Sequence, residues 1–119
     1  MFNQKLISLE GTENGWKWIK YPDGKAICYG SFTKSITVTS QWGNQYAGVF
    51  GNLTFPTNLF IDTPTAFANV ITGFSCWLMP SGDAISKTNT GGIACVRPSS
   101  ITQSSSITIS YLAIGRWKN

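Results

Sequence analysis

The chain contains no histidine. That single absence removes the Ser/His/Asp and Cys/His arrangements of nucleophilic catalysis, and with them the commonest side-chain metal ligand. Charge is scarce too: Asp, Glu, Lys and Arg make up 12% of the 119 residues, about half the usual share. The net charge of +4 is mild. No run of Lys or Arg forms the stripe a nucleic acid requires, so DNA and RNA are not expected partners. The three cysteines, Cys28, Cys76 and Cys95, form an odd set without framework spacing, which argues against a secreted disulfide scaffold and against a zinc knuckle. Buried free thiols are expected, with a Cys76–Cys95 bridge as the alternative. No apolar run approaches the length of a membrane span, and the opening MFNQKLISL lacks the apolar stretch of a signal peptide. The expectation is a chain made in a cytoplasm, without membrane insertion. No glycine-rich loop opens a helix to cradle phosphate, and no cofactor or metal is expected.

What the chain does have is aromatic residues, at 13%, set among abundant Ser, Thr, Asn and Gly. Its clearest local structure is the stretch GWKWIKYPDGKAICYGSF, Gly15 to Phe32. Tyr21-Pro22-Asp23-Gly24 places proline where φ near −65° is wanted, aspartate where it can bond local backbone, and glycine where φ must be positive. A type I turn with a glycine bulge pairs Lys20 with Ala26, Ile19 with Ile27, Trp18 with Cys28, Lys17 with Tyr29 and Trp16 with Gly30. One face then holds Trp16, Trp18, Ala26, Cys28, Gly30 and Phe32, with Trp16 covering the bare backbone of Gly30; this is the expected core face. Lys17, Ile19, Tyr21, Lys25, Ile27 and Tyr29 form the other face, open to solvent or to a partner subunit.

The remainder reads as strand and turn. Phe2 to Leu9 alternates imperfectly, so residues 1–10 are either a first strand or the end of a preceding shaft. EGTENG, Glu10 to Gly15, reads as a turn and Lys34 to Ser40 as a further strand. Gln41 to Gly51, with its glycines and aromatics, reads as a loop or irregular edge, and Pro56 and Pro64 mark an edge segment and a loop. Phe67 to Leu78 reads as one long strand kinked at Gly73, and KTNTGG as a turn leading into the strand IACV. In Ser106 to Trp117 one parity is apolar throughout, while the other turns apolar at Leu112 and Ile114. Such a strand needs cover on both faces, from a second copy of the chain or from the Gln41 to Asn52 loop. About eight strands, turn signals at roughly 8–12-residue spacing and no amphipathic helix predict a single all-β domain over residues 1–119, an antiparallel β-sandwich or jelly-roll-like.

Chemistry is thinner. The carboxylates are Glu10, Glu13, Asp23, Asp62 and Asp83. A glycosidase needs two of them across a sugar; Glu10 with Glu13, or either with Asp83, is the available pair, against the plain reading that all are surface turn residues. The nearly uncharged middle of the chain suits sugars, whose apolar faces stack on aromatic rings while amides and hydroxyls satisfy their edges. Trp42, Asn44, Gln45 and Tyr46 in one loop, with Asp83, Lys87 and Asn89 in another, are the candidate carbohydrate-binding residues. The competing reading has Trp42 and Tyr46 capping the core or a subunit contact.

Three motifs occur in order: Gly15-Trp16 with Lys20-Tyr21-Pro22-Asp23-Gly24 and Tyr29-Gly30; Leu53-Thr54-Phe55-Pro56 followed by Leu59-Phe60; and Tyr111-Leu112-Ala113-Ile114-Gly115-Arg116-Trp117-Lys118. Together they resemble the C-terminal receptor-binding or tip domains of bacteriophage and prophage tail-fibre proteins. Tyr21 stands where that family's lysine-leucine-proline-aspartate-glycine turn has leucine, and Gln41 to Gly51 and Gly73 to Ser105 match nothing in it. The resemblance implies a homotrimeric, non-enzymatic domain at the virion tail tip that binds host cell-wall polysaccharide or teichoic acid; it supplies no binding residues. A structural trimerisation cap without ligand and a carbohydrate-binding module of a secreted enzyme are the alternatives. A small glycan depolymerase is a further one, and would release reducing ends from host wall in a manner abolished by Glu13→Gln or Asp83→Asn.

Overall fold

The computed structural model describes residues 7–119, so the readings that fall on residues 1–6 lie outside it. Among the described residues there are nine strands and no helix: β1 (Leu9–Glu13), β2 (Trp16–Lys20), β3 (Lys25–Val38), β4 (Ser40–Trp42), β5 (Gln45–Gly51), β6 (Thr65–Thr72), β7 (Trp77–Pro80), β8 (Ile93–Arg97) and β9 (Ile101–Arg116). They form a five-stranded sheet, in the order β1-β2-β3-β9-β6, and a four-stranded sheet, β4-β5-β8-β7, with every pairing antiparallel.

The β2–β3 hairpin has the expected register, Lys17 opposite Tyr29 through Lys20 opposite Ala26. Its turn closes with the Gly24 amide donating to the Tyr21 carbonyl at 3.0 Å and the Lys25 amide to Asp23 Oδ1 at 3.0 Å, with Gly24 at φ +102°. The chain end clasps this turn: the Trp117 amide donates to Gly24 O at 2.9 Å and its indole to Tyr21 O at 2.7 Å. Gly30 is covered by Phe32 and the Gly15 carbonyl rather than by Trp16, because the Phe32 ring lies over it and leaves no room for a Cβ. Trp18 instead lies over Gly11, its partner on β1. Leu9 and Glu10 therefore belong to the domain's own sheet. EGTENG is mostly the edge strand β1, and its turn is only Asn14-Gly15, both at positive φ as a type I′ hairpin requires.

Two further expectations change. Gln41 to Gly51 is not a loop but the β4–β5 hairpin, turned at Gly43 (φ +61°), and β5 sits between β4 and β8. What reads as an interrupting glycine, Gly48, is a close approach: a Cβ there would lie 2.1 Å from the Thr37 carbonyl of β3. Phe67 to Leu78 is not one strand either. β6 ends in the five-stranded sheet, Gly73 takes φ +124°, and β7 begins in the four-stranded sheet. Lys34 to Ser40 continues β3 and, past Thr39, becomes β4 in the other sheet.

The core lies between the sheets. Ile107, Ile109, Tyr111 and Ala113 of β9, Ala26, Cys28 and Val38 of β3, and Phe50, Ile93 and Cys95 of the four-stranded sheet are all buried in one cluster. At its centre Trp16 packs against Phe32, Phe55 and Tyr111 at ring-centroid distances of 4.7, 5.4 and 5.6 Å. Its indole N–H donates to Thr54 O at 2.7 Å, so no polar group is stranded. Residues 52–64 form no strand, as the two prolines predict, yet Phe55, Leu59 and Phe60 are buried, so this segment covers the part of the core near Trp16. Its backbone is satisfied from outside: Phe55 N–H donates to Thr88 O, Ile61 N–H to Arg116 O, and Thr57 N–H and hydroxyl to Glu13. The Gly48 approach makes a direct prediction. Gly48→Ala must part β3 from β5 and is expected to cost about 1–3 kcal/mol, read as a lowered urea midpoint with an unchanged slope.

Candidate functional site

The alternation of the four-stranded sheet decides which side chains leave the core. Cys95, Ile93 and Phe50 point inward, so Ala94 and Val96 of β8 and Ala47 and Val49 of β5 point out. Val96 stands between Ala47 and Trp77, and Ala94 between Val49 and Met79. Trp42, paired with Gln45, is on this outer face at one edge of the sheet, and Trp77 is on the other edge. Their side chains are 57% and 61% exposed, which is unusual for the largest apolar residue in a chain with a core to fill. Small residues make the floor: Ala94 and Val96 are buried without belonging to the core cluster. Thr37, Thr39, Ser40, Gln41 and Ser81 add hydroxyls and an amide to the margin of a groove of about 510 Å³ running past Trp42. No charged residue lines it.

The candidate residues of the sequence fall in two places. Trp42, Asn44 and Gln45 are at the β4–β5 turn; Asn44 is at the exposed tip, and Gln45 Oε1 is buried without a hydrogen-bond partner. Tyr46, the next residue, packs against the core. Asp83, Lys87 and Asn89 lie in the loop after β7. There Asn89 Oδ1 accepts from the Gly91 amide at 2.8 Å and the Asp83 carbonyl from the Gly92 amide at 3.0 Å, while Lys87 is exposed. That loop leaves the sheet beside Gly51, the far end of β5, so about 20 Å of strand separates the groups and they share no surface patch. Trp77 and Val49, which the sequence reading did not select, stand instead on the same face as Trp42.

The carboxylates are dispersed. Glu10 and Glu13 are three apart on β1 and so face opposite ways, Glu10 toward Lys17 at 3.6 Å and Glu13 toward Thr57. Asp62 holds Arg116 at 2.8 Å. No pair of these faces another across a sugar-sized gap. Among the described residues no helix is long and apolar enough to cross a membrane.

The thiols are free. Burial pushes Cys28 up to about 12. Burial, then the neighbouring Cys76, pushes Cys95 up to about 12 as well, and burial raises Cys76 although Cys95 donates a hydrogen bond to it. Tyr111 is raised to about 12, by burial first and then by Cys28.

No family model matches this chain, and no curated protein or solved structure matches it either.

The buried thiols and Tyr111 make a pH prediction with a definite sign. In the unfolded chain these groups ionise from their ordinary values of 9.0 and 10.0, whereas in the folded protein they stay protonated to about 12. Their contribution to stability is complete below pH 9 and is lost as pH rises from there toward 12. Urea midpoints are expected to hold level up to about pH 8 and to fall above 9. At pH 8 a thiol reagent is expected to label Cys76 first, because Cys28 and Cys95 are buried.

Proposed function

We propose that this chain is the tip domain of a bacteriophage or prophage tail fibre, a jelly-roll-like β-sandwich acting as a homotrimer at the virion tail tip. In this reading it attaches to host cell-wall carbohydrate by non-enzymatic, multivalent binding. The observation that carries the reading is the exposed Trp42 and Trp77 on a charge-free, hydroxyl-margined sheet face. Each ring offers a flat apolar platform to a pyranose, and Thr37, Thr39, Ser40 and Gln41 are of the kind that satisfies its hydroxyls. The absence of charge along the groove favours a neutral polysaccharide over an anionic polymer such as teichoic acid. The repeated passage of the chain between two antiparallel sheets supports the sandwich, and the order of the hairpin, central and terminal motifs supports the fibre-tip class. Weak sites suffice for such a task, since millimolar affinity is only about −4 kcal/mol and tethering several copies multiplies it.

The test is co-sedimentation with host wall preparations, together with titration of neutral oligosaccharides released from them. Trp42→Ala and Trp77→Ala are each expected to weaken binding about tenfold or more, equivalent to roughly 1.4 kcal/mol, with little salt dependence. Two variants that bind as the parent does would overturn the reading, as would wall binding that disappears at moderate salt.

A further inference from the structure

We infer that the outer face of the five-stranded sheet is where a second copy of this chain packs, with copies presenting this same face to a common axis. The number of copies rests on the fibre-tip reading; the choice of surface does not.

Two adjacent cross-strand rows make this face. Ile19, Ile27 and Ile114 are aligned in one, and Lys17, Tyr29, Leu112 and Phe67 in the next. None of the six apolar side chains among them belongs to the core cluster. Phe67 is 59% exposed, and Tyr29 and Ile114 are exposed as well. A concavity of about 780 Å³ runs along the second row, over Gly30, where no side chain fills the surface. The Gln41–Gly51 segment does not provide cover, since it lies in the other sheet.

The pattern of charge points to a like partner. Symmetry-related copies bring identical groups close together, so an unpaired charge near the axis would meet its own kind. On this face Lys17 is paired with Glu10 at 3.6 Å and Arg116 with Asp62 at 2.8 Å, leaving the apolar rows bounded by neutralised charges. An acidic or basic partner is given nothing to pair with. Beyond the apolar rows lie Ser31 opposite Ser110, and Thr33, whose hydroxyl shares a 2.7 Å hydrogen bond with Thr108, giving an apolar centre with a polar border. The footprint is roughly 20 by 20 Å from strand spacing and rise. With side-chain relief that approaches the order of the ~800 Å² which one partner brings to a standard interface. The chemistry also differs from that of the Trp42 groove: aliphatic side chains dominate, and a saccharide would leave its hydroxyls unpaired against them.

Light scattering and saccharide titration on the parent, Phe67→Glu, Tyr29→Glu and Trp42→Ala separate this inference from the functional reading. The parent is expected to scatter as a multiple of 13.0 kDa. Phe67→Glu and Tyr29→Glu are expected to give the single-chain mass with an unchanged circular dichroism spectrum. Trp42→Ala is expected to remain assembled. Phe67→Glu should keep single-site oligosaccharide affinity while losing avidity for whole wall by a factor of ten or more. A monomeric parent at micromolar concentration overturns the inference, and so does a Phe67→Glu protein that stays assembled. If Phe67→Glu fails to fold, Phe67→Ser replaces it under the same criteria. An assembled parent that Phe67→Glu dissociates, but that binds no saccharide, upholds the surface and removes only the carbohydrate reading.

Discussion

The ladder between β3 and β9 carries the rest of the molecule. It runs in antiparallel register from Lys25 opposite Arg116 to Ser35 opposite Ser106, and after a shift near Ile36 it ends with Val38 opposite Ile101. β2 and β6 pair onto its two outer edges, and the four-stranded sheet begins where β3 crosses over through Thr39. A one-residue slip would turn Ile107, Ile109 and Ala113 outward and Leu112 and Ile114 inward, exchanging the core for the exposed face. The ladder is held in place by large residues standing beside small ones. Tyr111 lies opposite Gly30 and Ala26 opposite Gly115, and Phe60 fills the space over Gly115 that a side chain would occupy. Trp117 then ties the end of β9 back to the first hairpin turn.

A chain with so little charge and so many aromatic residues cannot hide all its apolar surface in a single core. The surplus lies on two outward faces whose chemistry differs. On the four-stranded sheet, tryptophans flank small residues and hydroxyls border an uncharged groove, a surface that can meet a partly polar ligand without leaving hydroxyls unpaired. On the five-stranded sheet, aliphatic rows dominate and the nearby charges are already paired. Separating the two roles on opposite faces of one domain lets assembly and recognition proceed without competing for surface, and assembly would multiply whatever a single groove provides.

Legibility followed the range of the forces involved. The β2–β3 hairpin was readable to the residue because its turn is specified by adjacent side chains and its pairing follows from the turn. The prolines likewise announced the irregular 52–64 segment, and the two-sided apolarity of β9 announced an uncovered face. Glycines were the main source of error, since a sequence does not distinguish a glycine that breaks a strand from one that admits a neighbour. Gly48 is in a strand because the Thr37 carbonyl lies where its Cβ would be, whereas Gly73, inside an apolar run, is where the chain leaves one sheet for the other. Trp77 was overlooked for the same reason, because its direction depends on the sheet to which β7 belongs.

By itself the sequence determined an all-β chain, the principal hairpin, the apolar parity of the last strand and the absence of histidine-based chemistry. These follow from local stereochemistry and composition. The tertiary structure alone decided that Trp42 has Trp77 for company rather than Asp83, Lys87 and Asn89, and that Glu10 and Glu13 turn away from each other. Those outcomes depend on which strands pair and where the chain changes sheet. Such choices are made by packing between residues far apart in the chain, and no local pattern encodes them.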